Sequence, residues 1–244
     1  MSSTSYRHAI VIGASAGIGA ELVRQLSASG CMVAAVAWRK DVLEKLAAER
    51  PGLIRTYDHD VANTAEAAAL FQQMTLDIGG LDLFIYCAGV MPEVGPEEFS
   101  FAKDKAMIDV NITGAVAWLD QAAIRFGNVG HGTMVGIGSV AGDRGRQGQP
   151  VYNASKAFLA TYLEALRNRL HKKGVKVVLI KPGPVDTDLI SHLHFKNAMP
   201  AATAAALTLQ KSGRSGEHYL KFSHKVAFLI IRNIPSPIFR KLKI

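Results

Sequence analysis

The stretch Gly13-Ala14-Ser15-Ala16-Gly17-Ile18-Gly19 decides the fold of this 244-residue chain. It follows a short apolar run, His8 to Ile12, and precedes Ala20 to Ser29, whose apolar residues recur at helical spacing. Glycines allow a sharp turn and a close approach to a ligand, and the free N–H groups and dipole of a helix N-terminus favour a phosphate. We therefore predict a strand, a glycine turn and a helix that bind a phosphate; a purely structural turn is the alternative.

Strand-like and helix-like segments alternate along the rest of the chain. Apolar runs typical of buried parallel strands lie at Cys31 to Ala37, Leu53 to Tyr57, Leu81 to Tyr86, Thr133 to Gly138 and Val175 to Ile180, with Glu217 to Phe222 as a last candidate. Helical patterns occupy Asp41 to Arg50, the residues from about Asn63, Phe99 to Phe126, Tyr152 to Leu170 and Ala201 to Leu209. This alternation predicts an α/β, three-layer fold: a doubly wound parallel sheet with helices on both faces.

Length and composition indicate one domain over residues 1–244. With 49% apolar content, the chain can bury a large core. Cys31 and Cys87 lie in apolar, strand-like runs, which predicts buried thiols rather than a disulfide or zinc framework and suits a reducing cytoplasm. The polar start, Met1 to His8, lacks the order of a signal peptide, and no apolar run approaches the ~18 residues that a membrane span needs. We expect a soluble, cytoplasmic protein.

The positive charge is concentrated at the C-terminal end. Residues 211–244 hold 8 Lys and Arg against 1 Asp or Glu, which accounts for most of the formal net charge of +8. Apolar residues lie beside these cations in the tail, residues 223–244, as in interfacial membrane anchors. The alternative is a tail that packs on its own domain or on a partner subunit. Because the tail is apolar and carries no recognised motif, we expect no nucleic-acid partner.

A tyrosine and a lysine four residues apart, Tyr152 and Lys156, are the main candidates for acid/base chemistry. On a helix these positions share one face, about 6 Å apart. A nearby cation favours the charged form of a tyrosine, so we expect Lys156 to depress the pKa of Tyr152 below its usual value of about 10. Taken alone, the spacing also fits a surface helix pair.

Two further polar residues are candidates for the same site. Ser139 follows the strand predicted at Thr133 to Gly138, at the edge where open parallel sheets bind ligands. Asn111 lies among apolar residues of the long helical segment, so it either satisfies a backbone group inside the helix or bends the helix toward a site. On its own, a buried structural asparagine is the simpler interpretation.

The second predicted strand ends in Ala37-Trp38-Arg39-Lys40, where a dinucleotide fold usually meets the adenosine ribose. No acidic residue is present there to bind a free 2′-hydroxyl and the charge is positive, so NADP(H) is preferred over NAD(H). Alternatively, Arg39 and Lys40 open a solvated helix. Asp60, followed by Val61, either meets the adenine edge or caps the next helix.

A segment without clean periodicity, Val185 to Pro200, follows the sixth predicted strand. Such a stretch suits a mobile lid, so we assign the substrate lid and the last strand to residues 185–222. His192 and His194 lie in this segment, but two histidines without a carboxylate or cysteine partner make a poor metal site. We predict no bound metal.

Jointly, the motifs of residues 8 to about 190 resemble those of the short-chain dehydrogenase/reductase family, which folds as one Rossmann domain. They are Gly13, Gly17 and Gly19, Asp60-Val61, Cys87-Ala88-Gly89, Asn111, Ser139, Tyr152, Lys156, Pro182-Gly183 and Thr187. Two positions depart from the family pattern. Cys87 replaces the usual asparagine, and Trp38 stands where NADP-preferring relatives often have arginine, which leaves Arg39 to meet the 2′-phosphate.

The resemblance implies a role for each residue. Tyr152 would exchange a proton with the substrate oxygen, Ser139 would orient that oxygen, and Lys156 would also bind the nicotinamide ribose. Asn111 would hold a water linked to Lys156, and Thr187 would touch the carboxamide. The expected cofactor contacts are Gly13, Ser15, Ala16, Gly17, Ile18, Gly19, Trp38, Arg39, Asp60, Val61, Cys87, Ala88, Gly89, Asn111, Tyr152, Lys156, Pro182, Gly183, Val185 and Thr187.

The activity implied by the resemblance is NADP(H)-dependent interconversion of a ketone or aldehyde and an alcohol, on a hydrophobic or acyl-type substrate. A nucleotide-binding sensor or scaffold with little turnover is the alternative, although a pure binder has no need of Tyr152. Relatives are usually dimers or tetramers joined through the helices that carry Asn111 and Tyr152, and we expect a homodimer or homotetramer here.

Overall fold

A computed structural model of the chain describes residues 6–95, 97–193 and 195–242. The polar start before Tyr6, His194 and the last two residues of the tail lie outside the described residues. The strands are β1 (His8–Ile12), β2 (Met32–Ala37), β3 (Ile54–Asp58), β4 (Leu83–Tyr86), β5 (Gly132–Ile137), β6 (Val175–Lys181), β7 (Val185–Asp186), β8 (Met199–Pro200) and β9 (Gly216–Tyr219). Seven of them form one parallel sheet in the order β3-β2-β1-β4-β5-β6-β9, and β7 pairs with β8.

Helices connect the strands of the sheet. They are α1 (Gly17–Ala28), α2 (Lys40–Ala48), α3 (Ala67–Asp77), α4 (Phe101–Ile108), α5 (Ala115–Val129), α6 (Pro150–Leu170), α7 (Ala201–Ser212), α8 (Phe222–Asn233) and α9 (Ser236–Phe239). A π-helical segment, Asp109–Gly114, joins α4 to α5. Short 3-10 helices lie at Thr64–Glu66, Val140–Asp143, His171–Lys173 and Asp188–Leu193.

Successive side chains of each strand point to opposite faces of the sheet, and helices cover both faces, so the sheet is buried on both sides. In β1, Ala9 and Val11 pack into one hydrophobic cluster with residues of α1, α2 and α7. Ile10 and Ile12 pack into a second cluster with residues of α3, α5 and α6. Each fully buried aliphatic side chain stabilises the fold by roughly 1.5–3 kcal/mol. The predicted three-layer, doubly wound arrangement is therefore confirmed.

The strand order reverses at β1, which lies between β2 and β4. In open parallel sheets, the connections on the two sides of such a point lead to opposite faces and leave a crevice at the carboxyl ends of the strands. Here that edge receives the glycine turn after β1, Arg39 after β2, Cys87 after β4 and Ser139 after β5. The topology thus brings residues from distant parts of the sequence to one crevice.

The predicted helix Phe99 to Phe126 is interrupted. It begins at Phe101, passes through the π-helical segment that contains Asn111, and ends at Val129. A π turn inserts an extra residue into a helix and is frequently found at functional sites. The hydrophobic pattern gave no sign of this turn, because apolar residues continue across it.

Two other expectations need correction. The predicted last strand, Glu217 to Phe222, ends at Tyr219, and Phe222 begins α8 instead. Cys31 is buried as predicted, but Cys87 lies just beyond β4 and is only partly buried, because it faces the crevice at the strand end. Both thiols are free. Among the described helices, none is long and apolar enough to cross a membrane.

Candidate active site and cofactor crevice

The glycine turn after β1 packs tightly against the segment that follows β4. Gly13 has φ +88°, and a Cβ atom there would lie 2.5 Å from the backbone nitrogen of Ala88. A Cβ on Gly19 would lie 2.0 Å from the Gly13 carbonyl oxygen. In the described part of the chain, no side chain caps the first N–H groups of α1, where Ala16 is the N-cap residue. The turn therefore offers a helix N-terminus with free donors, which fits a pyrophosphate.

Arg39, the residue before α2, turns its side chain toward the glycine turn. Its Nε donates a hydrogen bond to Ser15 Oγ at 3.1 Å, and its Nη1 lies 3.8 Å from a carboxylate oxygen of Asp188. The guanidinium also lies 5.9 Å from the ring centroid of Trp38, which is exposed. The solvated-helix interpretation holds for Lys40, whose Nζ is 3.9 Å from the exposed Glu44. It does not describe Arg39.

Asp60 and Val61 follow β3 at the same edge of the sheet. The Asp60 carboxylate accepts a hydrogen bond from the backbone N–H of Ala62 at 2.9 Å and is otherwise exposed. The 3-10 helix that precedes α3 begins at Thr64 with Asn63 as its N-cap residue. Asp60 therefore closes a local turn rather than capping the helix, and its side chain stays at the sheet edge.

Tyr152 and Lys156 lie on the buried face of α6. Lys156 Nζ donates a hydrogen bond to the carbonyl of Ile137, the last residue of β5, at 3.0 Å. The same Nζ lies 5.6 Å from the ring centroid of Tyr152. The pair is therefore buried at the crevice and is not the surface pair that the spacing also allowed.

Ser139 is the N-cap residue of the 3-10 helix Val140–Asp143, and its Oγ accepts a hydrogen bond from the Ala141 N–H at 3.0 Å. Its hydroxyl lies close enough to Tyr152 to lower the pKa of that phenol. The 3-10 helix packs directly on α6, since a Cβ on Gly142 would lie 2.6 Å from the Lys156 carbonyl carbon. This packing brings the serine and tyrosine hydroxyls together.

Asn111 uses its amide to join three parts of the site. Its Oδ1 accepts from the Val90 N–H at 2.8 Å, and its Nδ2 donates to the Val90 carbonyl at 3.0 Å and to Ser155 Oγ at 3.2 Å. Tyr86 donates a hydrogen bond of 2.6 Å to the carbonyl of Val110 in the π-helical segment. Asn111 therefore satisfies backbone groups of the loop after β4 rather than groups inside its own helix. The π turn orients its side chain toward that loop.

The pKa of Tyr152 is raised, whereas the sequence predicted that it would be lowered. Burial raises this pKa to about 12, while the Ser139 hydroxyl and the charge of Arg146 act to lower it. Burial also lowers the pKa of Lys156 to about 8. The expected depression by Lys156 is not what the structure shows, because desolvation dominates and the ammonium is bonded to the Ile137 carbonyl. Arg146 was missed because it lies in a polar glycine-rich loop without periodicity.

Burial disfavours the thiolate form of Cys87, the residue that departs from the pattern of the resembled family. Burial raises the pKa of its thiol to about 12, although the charge of Lys156 acts to lower this pKa. Gly89 follows two residues later, and a Cβ there would lie 3.4 Å from Asn111 Oδ1 and 3.5 Å from Lys156 Nζ. The small residues after β4 thus leave room directly beside the lysine.

An apolar wall surrounds the Tyr152 side chain. Buried Met91, Met107 and Ala141 pack with it, and Leu189 and Ile190 of the predicted lid pack against the same cluster. The lid segment also contacts the glycine turn, because a Cβ on Gly17 would lie 2.7 Å from Thr187 Cγ2. A cavity of about 100 Å³ beside Thr187 is lined by lid residues, including Phe195 and Ala198.

The end of β6 contributes Pro182 and Gly183 to the crevice. The Pro182 carbonyl accepts a hydrogen bond from the Val140 N–H at 3.0 Å, which ties this end to the loop after Ser139. A Cβ on Gly183 would lie 2.1 Å from a ring atom of His224, so the α8 histidine packs directly against this glycine. Val185, the first residue of the predicted lid, is buried in the core.

A buried ionic cluster next to Ser139 was not predicted. Lys181 Nζ lies 2.6 Å from Asp143 and 2.9 Å from Glu217, and Arg232 of α8 also pairs with Asp143. Tyr219 donates a hydrogen bond of 2.8 Å to the same aspartate. Arg232 also pairs with Glu217, and the partners in these contacts are 15 to 89 positions apart in sequence, so no local spacing predicts them.

A shallow cavity of about 460 Å³ lies at the opposite edge of the sheet, lined by residues such as Arg7, Asp82, His131 and Lys176. It is larger than the cavity beside Thr187, but it contains none of the acid/base residues and lies at the amino ends of the strands, whereas ligands of doubly wound folds bind at the carboxyl ends. The site of interest is the carboxyl-end crevice. Among the described residues, no three His, Cys, Asp or Glu side chains are grouped to hold a metal ion.

A family model described as short chain dehydrogenase matches residues 7–197 of the chain. An uncharacterized oxidoreductase of Myxococcus xanthus is 32% identical over 245 residues, which covers 98% of this chain and 97% of that protein. The chain therefore belongs to the short-chain dehydrogenase family. It is an oxidoreductase of that family, and its fold is the NAD(P)-binding Rossmann fold.

Solved structures agree on the fold. A short-chain dehydrogenase from Burkholderia cenocepacia in complex with NADP superposes with a TM-score of 0.85 at 20% identity, covering 98% of each chain. A short-chain dehydrogenase from Streptomyces avermitilis gives a TM-score of 0.83 at 21% identity, covering 93% of this chain and 92% of that one. At these identities the likeness establishes the fold of nearly the whole chain.

Proposed function

We propose that the protein is an NADP(H)-dependent reductase of class EC 1.1.1 that interconverts a ketone or aldehyde and an alcohol, with Tyr152 as the acid/base. The observation that carries this proposal is the convergence at one sheet edge of Ser139, Tyr152 and Lys156 with an uncapped helix N-terminus. A nucleotide-binding scaffold needs the helix N-terminus alone. Bound NADP(H) supplies or accepts the hydride.

The residues of the chain handle the proton. Tyr152 donates its phenolic proton to the carbonyl oxygen, and the Ser139 hydroxyl donates a hydrogen bond that orients this oxygen. Burial favours the protonated form of the Tyr152 phenol, so at neutral pH the phenol carries the proton that it donates in the direction of reduction. Lys156 binds ribose hydroxyls, and Asn111 positions a water beside it.

The cofactor would lie along the crevice. Gly13, Ser15, Ala16, Gly17, Ile18 and Gly19 would bind the pyrophosphate, and the remaining predicted contacts from Trp38 to Thr187 would follow the edge of the sheet. The preference for NADP(H) rests on Arg39, which is bonded to Ser15 beside the turn. A 2′-phosphate placed between them would accept charge-assisted hydrogen bonds from the guanidinium.

The substrate class follows from the wall around Tyr152. Met91, Met107 and Ala141, with Leu189 and Ile190 of the lid, present an apolar surface to the carbonyl compound. We propose a hydrophobic substrate, with the substrate lid and the last strand in residues 185–222. We further propose one domain over residues 1–244, a homodimer or homotetramer built through the helices that carry Asn111 and Tyr152, a cytoplasmic location, and a membrane contact through the tail.

Oxidation of NADPH and NADH against a panel of apolar ketones and aldehydes tests the proposal. We expect turnover with NADPH, and a preference over NADH that falls by about 10- to 100-fold in Arg39→Gln, because a charge-assisted pair is lost. Lys40→Gln is the matched control and should keep the preference. Equal rates with both nucleotides in the wild-type protein would refute the preference, and tight binding without turnover would favour a sensor.

A further inference from the structure

Helix α8 is apolar on the side that faces away from the domain. Phe222, Val226, Leu229 and Ile230 are 78%, 44%, 62% and 61% exposed. Their spacing of i, i+4, i+7 and i+8 places them on one face. Monomeric soluble proteins rarely leave such a continuous apolar face uncovered.

The opposite side of α8 lies on the domain. His224, Phe228 and Ile231 are half-buried, and His224 contacts Gly183 at the crevice. Past the helix, two more apolar residues, Ile238 and Leu242, are also exposed. The domain covers only one apolar side of α8. The exposed apolar side therefore requires another apolar partner.

The surroundings of this face are strongly cationic. Residues 218–244 contain six Lys and Arg residues and no Asp or Glu. Arg232 pairs with Asp143 and Glu217, whereas Lys221, Lys225, Arg240 and Lys241 form no ion pair with any other described residue. We define the interfacial segment as residues 221–242. It combines an exposed apolar face with unneutralised positive charge.

We propose that the interfacial segment binds the surface of an anionic lipid bilayer. A helix of this kind lies in the plane of the interface, with its apolar residues inserted and its cations near the acidic headgroups. A second copy of the chain is a poorer occupant. A twofold interface would bring the same patch against itself, and the cations of one copy would face those of the other without intervening acids.

The interfacial segment is attached to the loop that follows Ser139. Arg144 donates to the Arg232 carbonyl at 2.8 Å and to Ser236 Oγ at 3.3 Å, and its guanidinium lies 4.6 Å from the ring centroid of Phe239. Arg144 directly follows the 3-10 helix that begins after Ser139. A bilayer bound to α8 would therefore lie beside the substrate side of the site.

This position, which rests on the proposed function, suggests the source of the substrate. A carbonyl compound dissolved in the bilayer would enter past α8 and the lid to the apolar wall around Tyr152. The methionines of that wall, Met91 and Met107, are flexible enough to accommodate chains of different shape. The substrate class is thus a lipid-soluble ketone or aldehyde.

Vesicle flotation of the full chain tests the proposal. The probes are vesicles of phosphatidylcholine alone and of phosphatidylcholine mixed with phosphatidylserine. We expect flotation with the anionic vesicles, about tenfold weaker binding to the neutral ones, and weakening at high salt. Leu229→Ser combined with Ile230→Ser should reduce binding about tenfold or more, and Lys225→Glu combined with Lys241→Glu should abolish the preference for anionic lipid.

Matched controls separate a local effect from general loss of hydrophobicity. Leu76→Ser and Ile124→Ser replace exposed apolar residues on other helices and should float like the wild type. Absence of flotation on both vesicle types would overturn the proposal, as would a dimer that dissociates when Leu229 and Ile230 are replaced. Because flotation needs no turnover, failed binding would leave the reductase intact, and absent NADPH oxidation on a water-soluble ketone would leave the bilayer contact intact.

Discussion

Two buried lysines lie near the carboxyl-end crevice, and their surroundings differ. Lys181 is 1% exposed and ion-paired with Asp143 and Glu217. Lys156 is 5% exposed, donates to a carbonyl, and among the described residues has no carboxylate partner. A buried cation without a counter-ion is costly, so a fold retains one only where something else needs it. The comparison separates a structural lysine from a functional one.

The largest effect is expected when the functional lysine is removed. Lys156→Met should lower NADPH-dependent turnover by about 10²- to 10⁴-fold, because the ribose loses its cation, while the free energy of unfolding at neutral pH stays at or above that of the wild type, because a costly buried charge is removed. Steady-state kinetics and urea unfolding measure the two quantities. A stability loss as large as the activity loss would make Lys156 structural.

The pH dependence of stability sharpens this expectation. Burial lowers the pKa of Lys156 from 10.5 to about 8, so between these pH values the folded state binds fewer protons than the unfolded state. The contribution of Lys156 to stability therefore rises with pH across this window. In Lys156→Met, urea unfolding should lack that rise. An unchanged pH profile would contradict the buried, unpaired state of Lys156.

The structural lysine should respond in the opposite way. Lys181→Met removes one partner of the buried Asp143 while Arg232 and Tyr219 remain. We expect the free energy of unfolding to fall by about 3 kcal/mol, the lower end for a broken buried pair, because the Asp143 carboxylate loses its buried cation and the half-exposed Arg232 compensates only part of that loss. The folded fraction should keep most of its turnover. Loss of activity without loss of stability in Lys181→Met would contradict the structural role assigned to Lys181.

A smaller effect is expected at Arg146, the cation that acts on Tyr152. Its charge lowers the pKa of a phenol that burial has raised to about 12, so Arg146→Gln should raise this pKa further. Alcohol oxidation requires the deprotonated phenol and should fall by several-fold up to about tenfold at a fixed alkaline pH, since one pKa unit is a factor of ten. Reduction should change little. A rate–pH profile for oxidation that does not shift would exclude the electrostatic role.

The fold was largely predictable because each strand leaves a strong local signal. Buried parallel strands are continuous apolar runs, and the runs ending at Ala37 and Ile180 lie within one residue of the ends of β2 and β6. Helix and strand ends that depend on tertiary contacts were less predictable. Phe222 fits a strand by composition, yet it begins α8, whose position depends on the ionic cluster around Asp143.

The sequence predicted which residues form the candidate site, but it did not predict the direction of the Tyr152 pKa shift. The positions of Ser139, Tyr152 and Lys156 follow from strand ends and helical spacing, whose geometry is local. The sign of the Tyr152 pKa shift depends on burial by Met91, Met107 and the lid, which no spacing in the sequence reveals. The π turn at Asn111 and the pairing of Asp143 with Arg232 likewise depend on contacts between distant segments.

The central claim is that the Tyr152 phenol moves the proton in a crevice that binds NADPH independently of it. The direct test compares wild type and Tyr152→Phe in one preparation each, by NADPH fluorescence titration and by NADPH oxidation with an accepted ketone. We predict a Kd for NADPH within about twofold of wild type and turnover lower by at least about 10²-fold, because only the proton donor is removed. Turnover close to wild type in Tyr152→Phe would contradict the account.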